Sequence, residues 1–195
     1  MAGIGVYPGS FNPPTIAHLA IARAARDLAR LSRVDLALSR TPLGKPEPDQ
    51  PTFDDRVAIL RAVVEAHPWL GLVVADAQLI TDLARGYDAV ILGADKWAQV
   101  IDPVWYGGSE TARDAAVAGL PRVLLAPRAA LFPLAGPSVE VLEVMDDHAT
   151  VSSTGARSGR REWMAPEAAA FDVETGAWTE PERYTRRLAG KPVRP

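Results

Sequence analysis

Tyr7-Pro8-Gly9-Ser10-Phe11-Asn12-Pro13-Pro14-Thr15-Ile16-Ala17-His18-Leu19 leads from a short apolar strand, Ile4 to Val6, into an amphipathic helix. Gly9 ends the strand, where the absence of a Cβ allows a positive φ or close approach of a ligand to the backbone. Pro13 and Pro14 have no N–H to donate, so the segment cannot continue as a strand and the helix is expected to start near Thr15. The positive end of the helix dipole then faces the space beside the loop, with His18 one turn inside. Polar turn residues, free N–H groups and a helix amino end together describe a site for a polyphosphate.

The strand that feeds this loop is the first of a series. Val34 to Leu38, Leu72 to Ala75, Ala89 to Leu92 and Val123 to Ala126 are apolar runs of strand length, with Val139 to Val144 a further candidate. Helical stretches alternate with them: Leu19 to Leu31, with Arg23, Arg26 and Arg30 on an outer stripe, and Asp54 to Ala66. Such alternation predicts an α/β fold with an open parallel sheet flanked by helices. Right-handed crossovers collect the loops at the carboxyl ends of the strands on one edge, where open sheets of this type bind ligands. Thr41 to Pro51 contains four prolines and reads as a lid or a solvated connection. Helices are expected from Pro166 through Phe171 and around Glu182 to Leu188. Residues 1–165 are therefore expected to form the main domain, and 166–195 a small C-terminal helical extension with a tail from Gly190.

Composition narrows the function classes. The chain has 195 residues, no cysteine, three histidines and a formal net charge of −3. Disulfides, thiolate chemistry and cysteine-ligated zinc are excluded, and so few histidines argue against a transition-metal site. A general nucleic-acid binder would normally be basic. No apolar run approaches the roughly 18 residues of a membrane span, and the amino end lacks a secretory pattern, so a cytoplasmic protein is expected. Its oligomeric state is open, with a homo-oligomer possible.

A second phosphate-binding pattern lies far along the chain at Val151-Ser152-Ser153-Thr154-Gly155-Ala156-Arg157. Ser152, Ser153 and Thr154 can cap a helix and bind phosphate oxygens, and Arg157 adds a bidentate charged fork. Arg160 and Arg161 follow, and one of them is a candidate helper. Between the two patterns, Leu92-Gly93-Ala94-Asp95-Lys96 ends a strand, so Asp95 either binds ribose hydroxyls or caps a helix. Trp105 either stacks on a flat ring or belongs to the core.

Taken together, G-S-F-N-P-x-T-x-x-H at Gly9 to His18 and S-S-T-x-x-R at Ser152 to Arg157 resemble the nucleotidyltransferase superfamily that carries T/H-x-x-H and I-S-S-T-x-x-R motifs. Leu92 to Lys96 and Asp102-Pro103-Val104-Trp105 make the likeness greatest to nicotinate and nicotinamide mononucleotide adenylyltransferases. The resemblance implies a Rossmann-like fold and transfer of AMP from ATP to a pyridine mononucleotide, in NAD biosynthesis. It implies catalytic roles for His18, Arg157 and Thr15. It places ATP on Gly9, Ser10, Phe11, Asn12, His18, Gly93, Asp95, Ser152, Ser153, Thr154 and Arg157, and the acceptor on Lys45, Arg56 and Trp105. Asn12 stands where many relatives have aspartate, so magnesium is expected to arrive on the ATP phosphates, with no protein metal site. Thr15 also suits a helix N-cap, Asn12 a turn, and Arg56 a solvated surface. Pantetheine-phosphate adenylyltransferases and cytidylyltransferases share the first motif. They are the nearest alternatives, with a non-catalytic nucleotide-binding module beyond them.

Overall fold

The computed structural model describes residues 3–40, 50–126, 139–144, 148 and 150–190. Its strands are β1 (Ile4–Pro8), β2 (Arg33–Ser39), β3 (Leu70–Ala75), β4 (Ala89–Gly93), β5 (Arg122–Ala126) and β6 (Val139–Val141). They form one parallel sheet in the order β3-β2-β1-β4-β5-β6. The helices are α1 (Ile16–Ala29), α2 (Phe53–Ala66), α3 (Ile80–Leu83), α4 (Ala94–Val100), α5 (Glu110–Ala118), α6 (Ser153–Arg157), α7 (Pro166–Thr175) and α8 (Pro181–Ala189). Single 3₁₀ turns lie at Pro103–Tyr106 and Arg161–Trp163. This is the expected Rossmann-like arrangement, and each expected strand is present within a few residues.

Successive strand residues point to opposite faces, and each face has its own core. Tyr7, Leu36, Leu38, Ile91 and Leu124 pack with α1, α2, α7 and α8. Val6, Ala37, Val90, Leu92 and Leu125 pack with Trp97 and Val100 of α4 on the other side. Helix α1 buries only alanines, Ala17, Ala22 and Ala25, so its backbone can lie close to the sheet. The alanine-rich sequence that blurs the amphipathic pattern of this helix is what its packing needs.

The C-terminal residues are built into this architecture. Ala168, Trp178 and Tyr184 are buried in the same core as α1 and α2. Asp172, with no exposed surface, organises the segment: Oδ1 accepts the main-chain N–H groups of Trp178 (2.8 Å) and Thr179 (3.0 Å). Its Oδ2 accepts from the Thr179 hydroxyl (2.6 Å) and Arg161 Nε (2.8 Å). Burial on its own would raise the Asp172 pKa, but these donors outweigh it and hold the carboxyl below its usual range.

A carboxylate lowered in this way contributes stability in full above the ordinary carboxylate range, and loses it as pH falls through the lowered value. Asp172→Asn is expected to destabilise the fold by about 3 kcal/mol at neutral pH, by stripping charged hydrogen bonds and the half-exposed Arg161 partner from a buried carboxylate. In acid the gap between variant and wild type should shrink. Chemical denaturation across pH checks both parts, and a gap that does not change with pH would contradict the assignment.

Candidate active site

Strand order turns in opposite directions on either side of the β1/β4 pair, since β2 follows β1 one way and β5 follows β4 the other. Crevices at such switch points are where open α/β sheets bind ligands. The Gly9 to Pro14 loop leaves β1 here and α4 leaves β4 beside it, placing Gly93 and Asp95 at the neighbouring strand end.

Within the loop, Phe11 has φ +43, a left-handed conformation uncommon for a bulky residue, and is buried. Its ring sits edge-on to His18 at 5.2 Å and to Tyr7 at 5.6 Å, walling the histidine. Gly9 does not use a positive φ. A Cβ there would meet the Phe11 ring at 2.7 Å, so in the structure the glycine makes room for that ring.

Thr15 is indeed the N-cap of α1, and it does more. Its hydroxyl accepts the His18 main-chain N–H, while His18 Nδ1 lies 3.0 Å from the Thr15 N–H and 2.8 Å from the Thr15 hydroxyl. A main-chain N–H can only donate, so Nδ1 acts as the acceptor and the proton of the neutral ring sits on Nε2. The ring therefore presents a fixed N–H donor at Nε2. The cap expected for Thr15 and its hold on the His18 ring are thus parts of one arrangement.

The distal motif docks on the same loop. Arg157 donates from one guanidinium nitrogen to the Asn12 main-chain oxygen and from another to Thr154 Oγ1 (3.2 Å). The Ser153 hydroxyl donates to Pro13 O (2.8 Å), and Ser152 caps α6 by accepting the Gly155 N–H (3.0 Å). The three hydroxyls expected to hold phosphate therefore also hold protein, with Ser153 and Arg157 joining the two motifs. Asn12 is buried, and its side-chain oxygen accepts the Trp178 indole N–H at 2.5 Å, so it does more than form a turn. Of the two candidate helpers, Arg160 stacks over Trp163 and Arg161 binds Asp172.

Next to this loop lies a cleft of about 960 Å³ including its open mouth. Gly9 and Ser10 form one rim, Leu79, Ile80 and Trp105 an apolar wall, and Arg56 and Lys96 provide charge, with no acidic residue in the lining among the described residues. Arg56 is only 3% exposed, which overturns the reading of a solvated surface residue. It stacks on Phe53 and reaches the Ser10 carbonyl at 3.5 Å. Trp105 is half-buried and belongs to the cleft. Lys45 lies outside the described residues, as does most of the proline-rich segment. Lys96 and Gln99, joined at 2.9 Å, are cleft residues that the sequence reading did not assign. Their spacing with Val100 on one face of α4 was the available signal.

The profile of the cytidylyltransferase-like family matches residues 6–159, which span the loop, the cleft and the distal motif. This chain belongs to that family. Relatives include the probable nicotinate-nucleotide adenylyltransferase of Salinibacter ruber, 37% identical over 65 residues, 33% of this chain and 33% of the relative. The corresponding protein of Citrifermentans bemidjiense is 39% identical over 75 residues, 38% of this chain and 34% of the relative. The chain spans about a third of the length of these two curated relatives. A phosphopantetheine adenylyltransferase of Lachnoclostridium phytofermentans is 38% identical over 91 residues, 46% of this chain and 51% of that one. Among solved structures, the Plasmodium falciparum nicotinic acid mononucleotide adenylyltransferase complexed with NaAD superposes with a TM-score of 0.63. It is 13% identical over 89% of this chain and 96% of that one, a likeness of fold.

The tautomer is directly measurable. Nitrogen NMR of the His18 ring near neutral pH is expected to find Nδ1 bare and Nε2 protonated; a proton on Nδ1 would refute the arrangement. Thr15→Val should also lower stability by about 1 kcal/mol through loss of the cap, measured by denaturant unfolding.

Proposed function

We propose that this protein transfers AMP from ATP to a pyridine mononucleotide, releasing pyrophosphate, as a step of NAD biosynthesis. The observation that carries this reading is the joining of the two family motifs around Asn12 to Pro14, directly beside an apolar, cation-lined cleft. ATP phosphates would lie against the Gly9 to Asn12 loop and the amino end of α1, within reach of His18 and Arg157. Gly93 and Asp95, at the end of β4, would lie beside the nucleoside. The mononucleotide would occupy the cleft, its flat ring against Trp105 and its anionic groups toward Arg56 and Lys96. Lys45 is proposed as a further acceptor contact.

In the proposed reaction an oxygen of the mononucleotide 5′-phosphate forms a bond to the α-phosphorus. The bond from that phosphorus to the oxygen bridging it to the β-phosphate breaks, and pyrophosphate leaves with the electron pair. A phosphate nucleophile is already ionised near neutral pH, so no general base is required. The protein aligns two anions, while the Nε2–H of His18 and the guanidinium of Arg157 stabilise charge developing on the phosphoryl oxygens. Among the described residues no group of three or more histidine and acidic side chains could hold a metal ion. Magnesium carried by the triphosphate would neutralise part of the phosphate charge. Nicotinate mononucleotide is favoured over its amide because Arg56 and Lys96 are the charged residues that line the cleft among the described residues. A cytoplasmic location accompanies this reading; no helix among the described residues is long and apolar enough to cross a membrane.

Pyrophosphate release with ATP and magnesium is expected with nicotinate mononucleotide, and more slowly with nicotinamide mononucleotide. Phosphopantetheine as acceptor, or CTP as donor, should be poor; faster release with phosphopantetheine would move the assignment to the second curated activity among the relatives. His18→Ala is expected to lower turnover roughly 100-fold or more while the protein remains folded. Near-normal turnover in that variant would remove His18 from the mechanism.

A further inference from the structure

We propose that Trp178, in the C-terminal segment, is a positioning residue for the phosphate loop and acts through Asn12. The inference rests on the reading that this loop binds ATP. Trp178 Nε1 donates to Asn12 Oδ1 at 2.5 Å across 166 positions of sequence, and the two residues are 5% and 8% exposed. In so sheltered a place the bond competes little with water.

Both partners are held from behind. The Trp178 main-chain N–H is fixed by Asp172, itself bound by Arg161 and Thr179, and the Trp178 indole packs edge-on against Phe171 at 6.1 Å. The main-chain oxygen of Asn12 is taken by Arg157. Asn12 directly follows Phe11, whose left-handed backbone and ring contact set the wall beside His18. A side chain held at Asn12 therefore fixes the loop where its backbone is least comfortable. Arg161, Asp172, Trp178, Asn12 and Arg157 form a continuous polar chain from the C-terminal segment to the distal motif.

Equilibrium titration of the intact protein with ATP, and separately with nicotinate mononucleotide, tests this without requiring turnover. Trp178→Phe keeps an aromatic ring and removes the donor. ATP affinity is expected to fall about tenfold, as for one sheltered hydrogen bond, while mononucleotide affinity moves less than about twofold. Tyr184→Phe is the structural control. Tyr184 lies in the same C-terminal segment, but its buried hydroxyl accepts the Thr52 N–H (2.9 Å) and donates to Asp55 (2.5 Å) at the start of α2 rather than bonding to Asn12. ATP affinity in this variant should stay within about twofold even where its melting temperature falls. Asn12→Ala should match the loss in Trp178→Phe, and the double variant should be no worse than the weaker-binding single one. Additive losses, or ATP affinity that follows melting temperature in both Trp178→Phe and Tyr184→Phe, would overturn the proposal. Wild-type ATP binding retained in full by Trp178→Phe overturns this inference alone. A wild type that binds no ATP overturns it together with the functional reading.

Discussion

The main-chain oxygens of Asn12, Pro13 and Pro14 are each taken by a donor from the distal part of the chain: the Arg157 guanidinium, the Ser153 hydroxyl and the Ala165 N–H. Two consecutive prolines cannot donate to a sheet or helix, so this stretch has acceptors without matching donors. Residues 153–165 supply them. That seam brings together motifs that sequence separates by well over a hundred positions.

Around the seam, each side chain that chemistry would use is already constrained by a structural bond. His18 is oriented by Thr15, Arg157 by Asn12 and Thr154, Arg56 by Ser10 and Phe53. Restraining donors before substrate arrives reduces the reorganisation needed when charge develops, which is how preorganised sites stabilise a transition state. The chain is acidic overall, yet among the described residues the cleft lining holds only basic charge. The positive charge of the cleft is thus local, created by which residues the fold places together.

The sheet was legible because buried parallel strands are written as uninterrupted apolar runs, as in Ala89 to Leu92, and because glycine and proline mark where they end. Trp105 and Asp95 could each be read in two ways, since sequence shows neither exposure nor neighbours. The C-terminal helices read as an appendage because Trp178 and Tyr184 look like ordinary apolar residues of a helical stretch. Their partners, Asn12 and Asp55, lie 166 and 129 positions away. Lys96 was passed over because a lysine after a strand-to-helix turn is usually solvated.

By itself the sequence determined the alternation of strands and helices, the place of the glycine- and proline-bearing loop at the end of β1, and the family, because these rest on local periodicity, turn chemistry and closely spaced motifs. Tertiary structure alone decided that Arg56 is buried at a cleft, that Nδ1 of His18 is occupied by Thr15, and that the C-terminal segment grips the loop. Those properties depend on hydrogen bonds and burial between groups brought together only when the sheet is assembled, and local chain preferences do not encode them.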